Sequence, residues 1–139
     1  MSYFNLEITA NSKTIQMSQQ LTSVNVVLDT PDDNVTGKSA DILAHITIEG
    51  DIDPHDSKPY IELFNWAKDF SSESQYRKMK ISIGASEDKP CRSYEFERMF
   101  VVDYKERYEK AKTGGQVGTF TLLINQEANN LQKAETFDK

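Results

Sequence analysis

Residues 94–109 read YEFERMFVVDYKERYE, a run of sixteen residues without glycine, proline, asparagine or serine. Aromatic and aliphatic side chains fall mostly on its even positions, and charged side chains fall mostly on its odd positions. A pleated strand sends alternate side chains to opposite faces, whereas a helix would scatter both sets around its axis. The pattern therefore predicts a β-strand with one apolar face and one charged face.

This predicted strand is too long to be an ordinary straight one. Extended residues rise ~3.3 Å each, so the stretch would span about 50 Å, and most strands have only ~5–6 residues. Apolar residues occupy both faces from Arg98 to Val101, and such a break in alternation is typical of a β-bulge. We expect a bent strand that pairs on both sides of a closed or nearly closed sheet. Two separate strands joined by a turn are the alternative.

Period-two alternation predicts further strands on both sides of this stretch, at residues 3–8, 14–17, 21–28, 42–49, 77–83 and 119–124. With the long strand counted as two coupled ones, the total is about eight. Closing them into a barrel would remove the exposed strand edges that invite aggregation. We therefore predict a mainly β fold, an antiparallel β-barrel over residues 1–126. Residues 127–139 are expected to be a polar tail of low order.

One segment between the strands has helical rather than alternating periodicity. Its apolar stripe recurs at i, i+3, i+4 and i+7 and continues one turn further, as Tyr60, Leu63, Phe64, Ala67 and Phe70. Ser57 is a suitable N-cap, and Pro59 lies near the first turn, where its missing N–H costs little. Trp66 falls off the stripe and is expected to cover a sheet edge or to contact another subunit. The helix is expected to pack on the side of the barrel.

Composition limits the classes of partner. The chain has 139 residues, enough for one domain with a real core, and a net charge of −6. Its lysines and arginines are scattered among acids, which argues against nucleic acid and anionic membranes as partners. No apolar run approaches the ~18 residues that cross a membrane. Without a signal-peptide pattern, and with Cys91 as its single cysteine, the chain is expected to be cytoplasmic.

No motif in the sequence predicts catalysis, a cofactor or a metal. The two histidines are His45, within a predicted strand, and His55, in an acidic loop, and Cys91 has no local motif of an activated nucleophile. The carboxylates of EGDIDPHD at 49–56 could hold a divalent cation, but the stretch lacks the glycine at the sixth position and the distant bidentate glutamate of an EF-hand. We expect no enzyme. A hydrolase that uses pocketed carboxylates, or His45 near Cys91, remains a further alternative.

Several segments between Tyr60 and Gln126 resemble, in order, the haemolysin-coregulated protein (Hcp) family. They are LFNWAKDF at 63–70, YRKMKISI at 76–83, YEFERMFVVDYKERYE at 94–109 and GTFTLLINQ at 118–126. The more specific features are VVDY at 101–104, followed by Glu106 and Tyr108, and the spacing of Gly118, Phe120 and Leu122. In residues 1–59 the resemblance lies in the succession of predicted strands more than in residue identity. The glycine-rich stretch often seen in the family is replaced there by SADILAHI at 39–46.

The resemblance implies a tube protein of type VI secretion or of related phage-tail-like machines. Proteins of this family form six-membered rings that stack into a hollow tube, which a contracting sheath propels. The implied partners are further copies of the chain, sheath and spike or baseplate proteins, and effector cargo in the lumen. Export would proceed through the injection apparatus without a signal peptide. The alternative is a monomeric small β-barrel that binds a hydrophobic ligand.

Two sets of residues are candidates for assembly contacts. The loop DTPDDNVTGKS at 29–39 is surplus to the barrel, and its candidate ring-stacking residues are Asp29, Thr30, Pro31, Asp32, Asp33, Val35 and Lys38. Rings form when one surface of a subunit meets a different surface of the next. Opposite charges on two such surfaces would set the register, and the candidates are Glu95 and Glu97 against Lys105 and Arg107. The solvated face of a monomer explains these charges equally well.

Overall fold

The computed structural model describes residues 3–10, 13–29, 43–69, 75–86, 89–110, 118–127 and 135–138. These residues form one helix, α1 (Lys58–Lys68), and eight strands. The strands are β1 (Tyr3–Ala10), β2 (Lys13–Met17), β3 (Leu21–Asp29), β4 (Leu43–Asp51), β5 (Arg77–Ser86), β6 (Lys89–Tyr108), β7 (Gly118–Gln126) and β8 (Glu135–Asp138). Among the described helices, none has the length and apolar character to span a membrane.

The sheet is curled. Its antiparallel ladders run in the order β2-β1-β5-β6-β7-β4-β3, and β8 pairs with β6. The two outermost strands, β2 and β3, follow each other in the chain and are joined only by Ser18–Gln20. In a flat sheet they would lie about 29 Å apart at ~4.8 Å per strand, but four Cα steps reach at most ~14 Å. The sheet must therefore bend until its two edges approach each other at this turn.

The predicted mainly β class with one helix is confirmed, and the barrel is not closed by hydrogen bonds. Among the described residues no ladder joins β2 to β3. Helix α1 packs against β2 and β6 instead, so a helix rather than a strand covers this side of the curled sheet. The interior is filled by side chains from both halves of the sheet and from α1, among them Leu6, Ile46, Leu63, Ile81 and Leu122.

The opening stretch belongs to a single strand of twenty residues, β6. Its N-terminal half pairs with β5 and its C-terminal half pairs with β7. The two halves meet at Met99, which is opposite Arg77 on one side and Gln126 on the other. The expectation of one long strand that serves both sides of the sheet is confirmed.

The predicted bend is present, and Arg98 marks it. The ladder with β5 slips by one residue between Phe96 and Met99, and Arg98 has a positive φ of 59°. A left-handed conformation is unfavourable for a residue with a Cβ. Several contacts hold Arg98 there: its guanidinium lies 4.3 Å from the centre of the Tyr76 ring and pairs with the Glu127 carboxylate. Its carbonyl also accepts a hydrogen bond from the Glu127 N–H at 3.0 Å.

A second register shift lies between Val101 and Asp103. The first shift inverts which face alternate side chains point to, and the second restores it. The core-facing residues of β6 consequently change from even to odd numbers and back, as Tyr94, Phe96, Met99, Val101 and Tyr104. The sequence pattern placed Phe100 and Val102 on the same face as Tyr94. That expectation is wrong for both residues because each bulge adds one residue and inverts the alternation.

The helix also differs from its predicted stripe. Trp66, expected to lie off the stripe, is 1% exposed, and its Nε1 donates to the Gln75 carbonyl at 2.7 Å. Phe64, expected in the stripe, is 51% exposed. The curled sheet contacts the helix along Tyr60, Leu63 and Trp66, a stripe rotated away from Phe64. Ser57 is the N-cap residue but makes no side-chain capping bond, and Phe70 lies outside the described residues.

The expected division into a barrel at 1–126 and a polar tail at 127–139 stays a prediction, but part of that tail is a strand. Glu135–Asp138 form β8, which pairs antiparallel with Arg92–Glu95 of β6. This pairing depends on a strand distant in the sequence. Four residues are too few to show the alternation that would predict a strand.

We predict that Gly50→Ala destabilises the fold. A Cβ at residue 50 would lie 2.6 Å from the Gln20 carbonyl oxygen and 2.6 Å from the Phe120 ring, and overpacking of this kind costs about 1–3 kcal/mol. Urea titration should show the loss as a lower midpoint with an unchanged slope. Gly118→Ala is the matched control with a smaller expected loss, because its Cβ meets mainly the ring of Tyr108, which is 60% exposed and can shift into solvent at the expense of its hydrogen bond to Glu106. Equal losses in the two variants would contradict this account.

Candidate assembly surfaces

Six large apolar side chains are well exposed among the described residues, and they fall into two groups. They are Val27, Leu28, Ile61, Phe64, Val102 and Tyr108. The first two lie on β3, and we call them, together with the outer edge of that strand, the β3 surface. The other four lie on α1 and on the C-terminal half of β6, and we call that region the α1–β6 surface. Exposed apolar side chains that share one element, as Ile61 and Phe64 do on α1, can contribute to interaction sites.

The β3 surface includes an open strand edge. Among the described strands, β3 pairs only with β4, along nine residues that read LTSVNVVLD. Natural edge strands are usually short, or carry charges or proline that prevent another strand from pairing. β3 has neither lysine nor proline, and its one charge is Asp29 at the end. The other outer strand, β2, has five residues and begins at Lys13, so β3 is the more accessible edge for a partner strand.

The α1–β6 surface contains a second unpaired edge. Because the ladder with β5 begins at Arg77, opposite Met99, residues 100–108 of β6 form a ladder on the β7 side only among the described strands. Helix α1 contacts β6, and the rings of Tyr60 on α1 and Tyr104 on this half of β6 both pack against Phe120. Its outer stripe presents Ile61 and Phe64, and the Lys68 ammonium lies 5.4 Å from the centre of the Phe64 ring. This side of the molecule thus combines backbone hydrogen-bonding groups with apolar side chains.

The two surfaces lie on opposite edges of the same half of the sheet. The strand order β6-β7-β4-β3 places the unpaired edge of β6 at one end and the edge of β3 at the other. Strand edges are complementary to each other through their backbone groups. One copy can therefore offer its β3 edge to the β6 edge of the next while its own β6 edge remains available. Such a contact is heterologous, and it can repeat.

Hydrogen bonds fix the end of β6 where this edge lies. The hydroxyls of Tyr104 and Tyr108 donate to the two oxygens of the Glu106 carboxylate, at 2.6 and 2.7 Å. Tyr104 packs on Phe120, and burial, reinforced by Glu106, strongly raises its pKa. The hydrogen bond to Glu106 is the main cause that raises the pKa of Tyr108. These bonds limit the movement of the β6 edge and so prepare it for pairing.

Three of the four predicted interface charges have charged partners within the chain. Glu95 pairs with Lys78 at 2.7 Å, Lys105 lies 3.7 Å from Asp103, and Arg107 lies 2.7 Å from Glu109. The backbone oxygen of Glu97 accepts from Gln126 at 3.1 Å. The role of these four residues in subunit contact stays a prediction.

The predicted ring-stacking loop is almost entirely outside the described residues. Of Asp29, the structure describes the backbone at the end of β3. The other candidates, Thr30, Pro31, Asp32, Asp33, Val35 and Lys38, belong to the part that is not described. Their role also stays a prediction.

The alternative functions, a hydrolase and a binding module for a hydrophobic ligand, have no defined site among the described residues. No three His, Cys, Asp or Glu side chains gather there as metal ligands. His45 bonds Asn125 through Nδ1 at 2.7 Å, and Cys91 is exposed on β6. A cavity of about 480 Å³ lies between the β2–β3 turn and the segment from Asp51 to His55. Its lining mixes the apolar side chains of Ile52 and Pro54 with polar and charged ones, without a continuous apolar surface.

Sequence reasoning missed Val27, Leu28 and Ile61. For Val27 and Leu28 the sequence has no signal that identifies their strand as an edge, since residues 21–29 lack lysine and arginine but so do the inner strands β1, β4 and β7. The spacing of Ile61 and Phe64 could have indicated a second apolar stripe on the helix.

Comparison with known proteins supports the architecture. No family model matches the chain, and no curated protein matches it. A crystal structure of an Hcp protein superposes with a TM-score of 0.61 at 7% identity, over 99% of this chain and 98% of that one. This chain has the Hcp fold. The resemblance inferred from the sequence is confirmed at that level.

Two further structures share the Hcp fold. Hcp1 from Flavobacterium johnsoniae matches with a TM-score of 0.52 at 17% identity, over 97% of this chain and 99% of that one. A chain from the sheath–tube complex of an extracellular contractile injection system matches with a TM-score of 0.57 at 14% identity, over 98% and 88%. Identities this low show that different side chains produce the same overall fold.

We predict that Tyr104→Phe weakens the dependence of stability on alkaline pH. The unfolded phenol ionises near pH 10, whereas the folded one has a raised pKa. The stabilisation is therefore complete below about pH 10 and is lost as the pH rises above it. The free energy of unfolding should fall less steeply between about pH 9 and pH 11 in the variant than in the wild type. Tyr108→Phe is the control, and because Tyr108 is largely exposed its effect should be smaller.

Proposed function

We propose that the chain is a structural subunit of the inner tube of a contractile injection system, of the type VI secretion or phage-tail-like kind. The observation that carries the proposal is the pair of apolar, edge-bearing surfaces on opposite sides of one half of an Hcp-type sheet. Structures with this fold include a type six secretion system protein and components of sheath–tube and baseplate assemblies. The proposed role is assembly, without enzymatic activity.

In the proposed ring, β3 of one copy pairs with the unpaired half of β6 in the next. Backbone hydrogen bonds supply the pairing, and Val27 and Leu28 are buried against the apolar side chains of the α1–β6 surface. A heterologous contact that turns each copy by a constant angle closes into a ring. Six is the number that the Hcp resemblance implies. Every copy in the ring then has both edges satisfied.

Stacked rings would form the tube, and loop 29–39 is our candidate for contacts between them. The loop follows β3 directly, so ring closure would bring the six loops into one circle. Sheath, spike or baseplate proteins and effector cargo are the proposed partners. The subunit would be made in the cytoplasm and would leave the cell through the apparatus.

We predict that Val27→Lys and Phe64→Lys each abolish ring formation. Both side chains are about half exposed, so a lysine leaves the core intact but places a charge that must be desolvated on assembly. Size-exclusion chromatography with light scattering should give a ring mass for the wild type and a monomer mass for each variant. Thr9→Lys is the matched control, because Thr9 is exposed on β1, a strand that is paired on both sides.

Mixing the two variants tests whether the contact is heterologous. The Val27→Lys chain keeps an intact α1–β6 surface, and the Phe64→Lys chain keeps an intact β3 surface. Together they should form a dimer that cannot grow, because each remaining surface carries a lysine. An isologous contact would leave the mixture monomeric.

Negative-stain electron microscopy tests the tube directly, since rings with a central hole are expected for the wild type. A wild-type monomer at every concentration would contradict the proposal and favour a monomeric binding module. Rings that persist in both lysine variants would show that other surfaces form the contact.

A further inference from the structure

The C-terminal strand β8 occupies an edge of β6 in an unusual way. At Arg92–Glu95, β6 pairs with β5 and with β8, so β8 lies on the side opposite β5. Met99 pairs with Arg77 of β5 and with Gln126 of β7, so β7 also lies on the side opposite β5. β7 and β8 therefore lie end to end along one side of β6, and both are antiparallel to it.

The chain between these two strands is longer than the gap that it bridges. Along β6, the partners of Gln126 and Glu135 are Met99 and Glu95, four residues apart, or about 13 Å. The connecting chain makes nine residue steps from Gln126 to Glu135, which can span about 30 Å. The extra length of the connection lets β8 reach a strand edge that lies farther away than the β6 edge of its own chain.

The ladder that holds β8 is short, and its bonds are not specific to one copy. β8 contributes four residue pairs, and its strand partner among the described residues is β6 alone. Short strands that are held by few residue pairs open at low free energy. Antiparallel backbone pairing is the same whether the strand comes from its own chain or from another copy. When β8 leaves, the edge at Arg92–Glu95 becomes a site that pairs with an extended strand.

We infer that β8 is an exchangeable strand: the edge of β6 at Arg92–Glu95 binds β8 of a second copy as well as its own. Exchange of an identical element between copies needs no new interface chemistry. In dilute solution a strand on its own chain is favoured, since a short connector gives it an effective concentration in the mM range. When the local concentration of other copies is also in the mM range, pairing of β8 with its own chain and pairing with another copy compete equally. The inference does not require the tube, because it depends on the β6 and β8 ladder alone.

Disulfide trapping in the full-length chain tests the exchange. Glu95 and Glu135 are directly opposite in the ladder, where Cα atoms lie ~4.5–5.5 Å apart, a separation that a disulfide spans. All variants carry Cys91→Ser to remove the exposed native thiol. The variants Glu95→Cys and Glu135→Cys are mixed at about 1 mM total chain, oxidised mildly, and analysed by non-reducing electrophoresis and mass spectrometry.

The expected result is a disulfide-linked heterodimer of the two variants, several-fold more abundant than in the matched control. The control mixes Glu95→Cys with Thr136→Cys, because neighbouring residues of a strand point to opposite faces. A chain carrying both Glu95→Cys and Glu135→Cys should also close internally when dilute. Exchange is overturned if that chain closes internally while the mixed variants give no more heterodimer than the control. Failure of internal closure would overturn the ladder itself.

Ring formation is measured separately, on the chain that carries only Cys91→Ser, because Glu95 is itself a candidate interface charge. Light scattering on that chain reports whether the copies assemble, so a failure of strand exchange is distinguishable from a failure of the tube proposal. A heterodimer without rings would support exchange and count against the tube. Rings without a heterodimer would support the tube and count against exchange.

Discussion

The bend of β6 at Arg98 and Met99 is the constraint on which the rest of the structure depends. A straight strand of twenty residues would extend well beyond a domain of this size, and its two halves could not serve one core. Arg98 adopts a left-handed conformation at the bend, and contacts with Tyr76 and Glu127 hold it there. The bend lets the N-terminal half pair with β5 and the C-terminal half with β7, so that both halves of the sheet enclose the same apolar side chains.

The bend also creates the open edges. Since β5 begins opposite Met99, the second half of β6 has no ladder on that side among the described strands, and α1 contacts β6. At the other end of the same half-sheet, β3 has an edge without the usual protective residues. A monomer with two such edges is at risk of indiscriminate pairing, whereas a ring satisfies both edges of every copy. The feature that is a liability for a monomer would be the means of assembly in the proposed tube.

Much of the architecture was predictable because the relevant signals are local. Alternation predicted the strands, and the loss of alternation at Arg98–Val101 predicted the bulge. Periodicity alone could not orient residues beyond it, since each added residue inverts the faces, and so Phe100 and Val102 were placed on the wrong one. The helix was located correctly, but Phe64 and Trp66 exchanged roles because the shape of the sheet, not the helix, selects which stripe is buried. The assembly surfaces were missed for a related reason: a strand becomes an edge only through the pairing of the others.

The sequence by itself determined the class of fold, the long bent strand, the single helix and the resemblance to Hcp. These depend on side-chain periodicity and on short segments, which are properties of neighbouring residues along the chain. Only the tertiary structure decided that β2 and β3 are the outermost strands, that β8 pairs with β6, and that Val27 and Ile61 are exposed. Those properties depend on which distant segments share backbone hydrogen bonds, and a strand has the same local pattern whether one or both of its edges are paired.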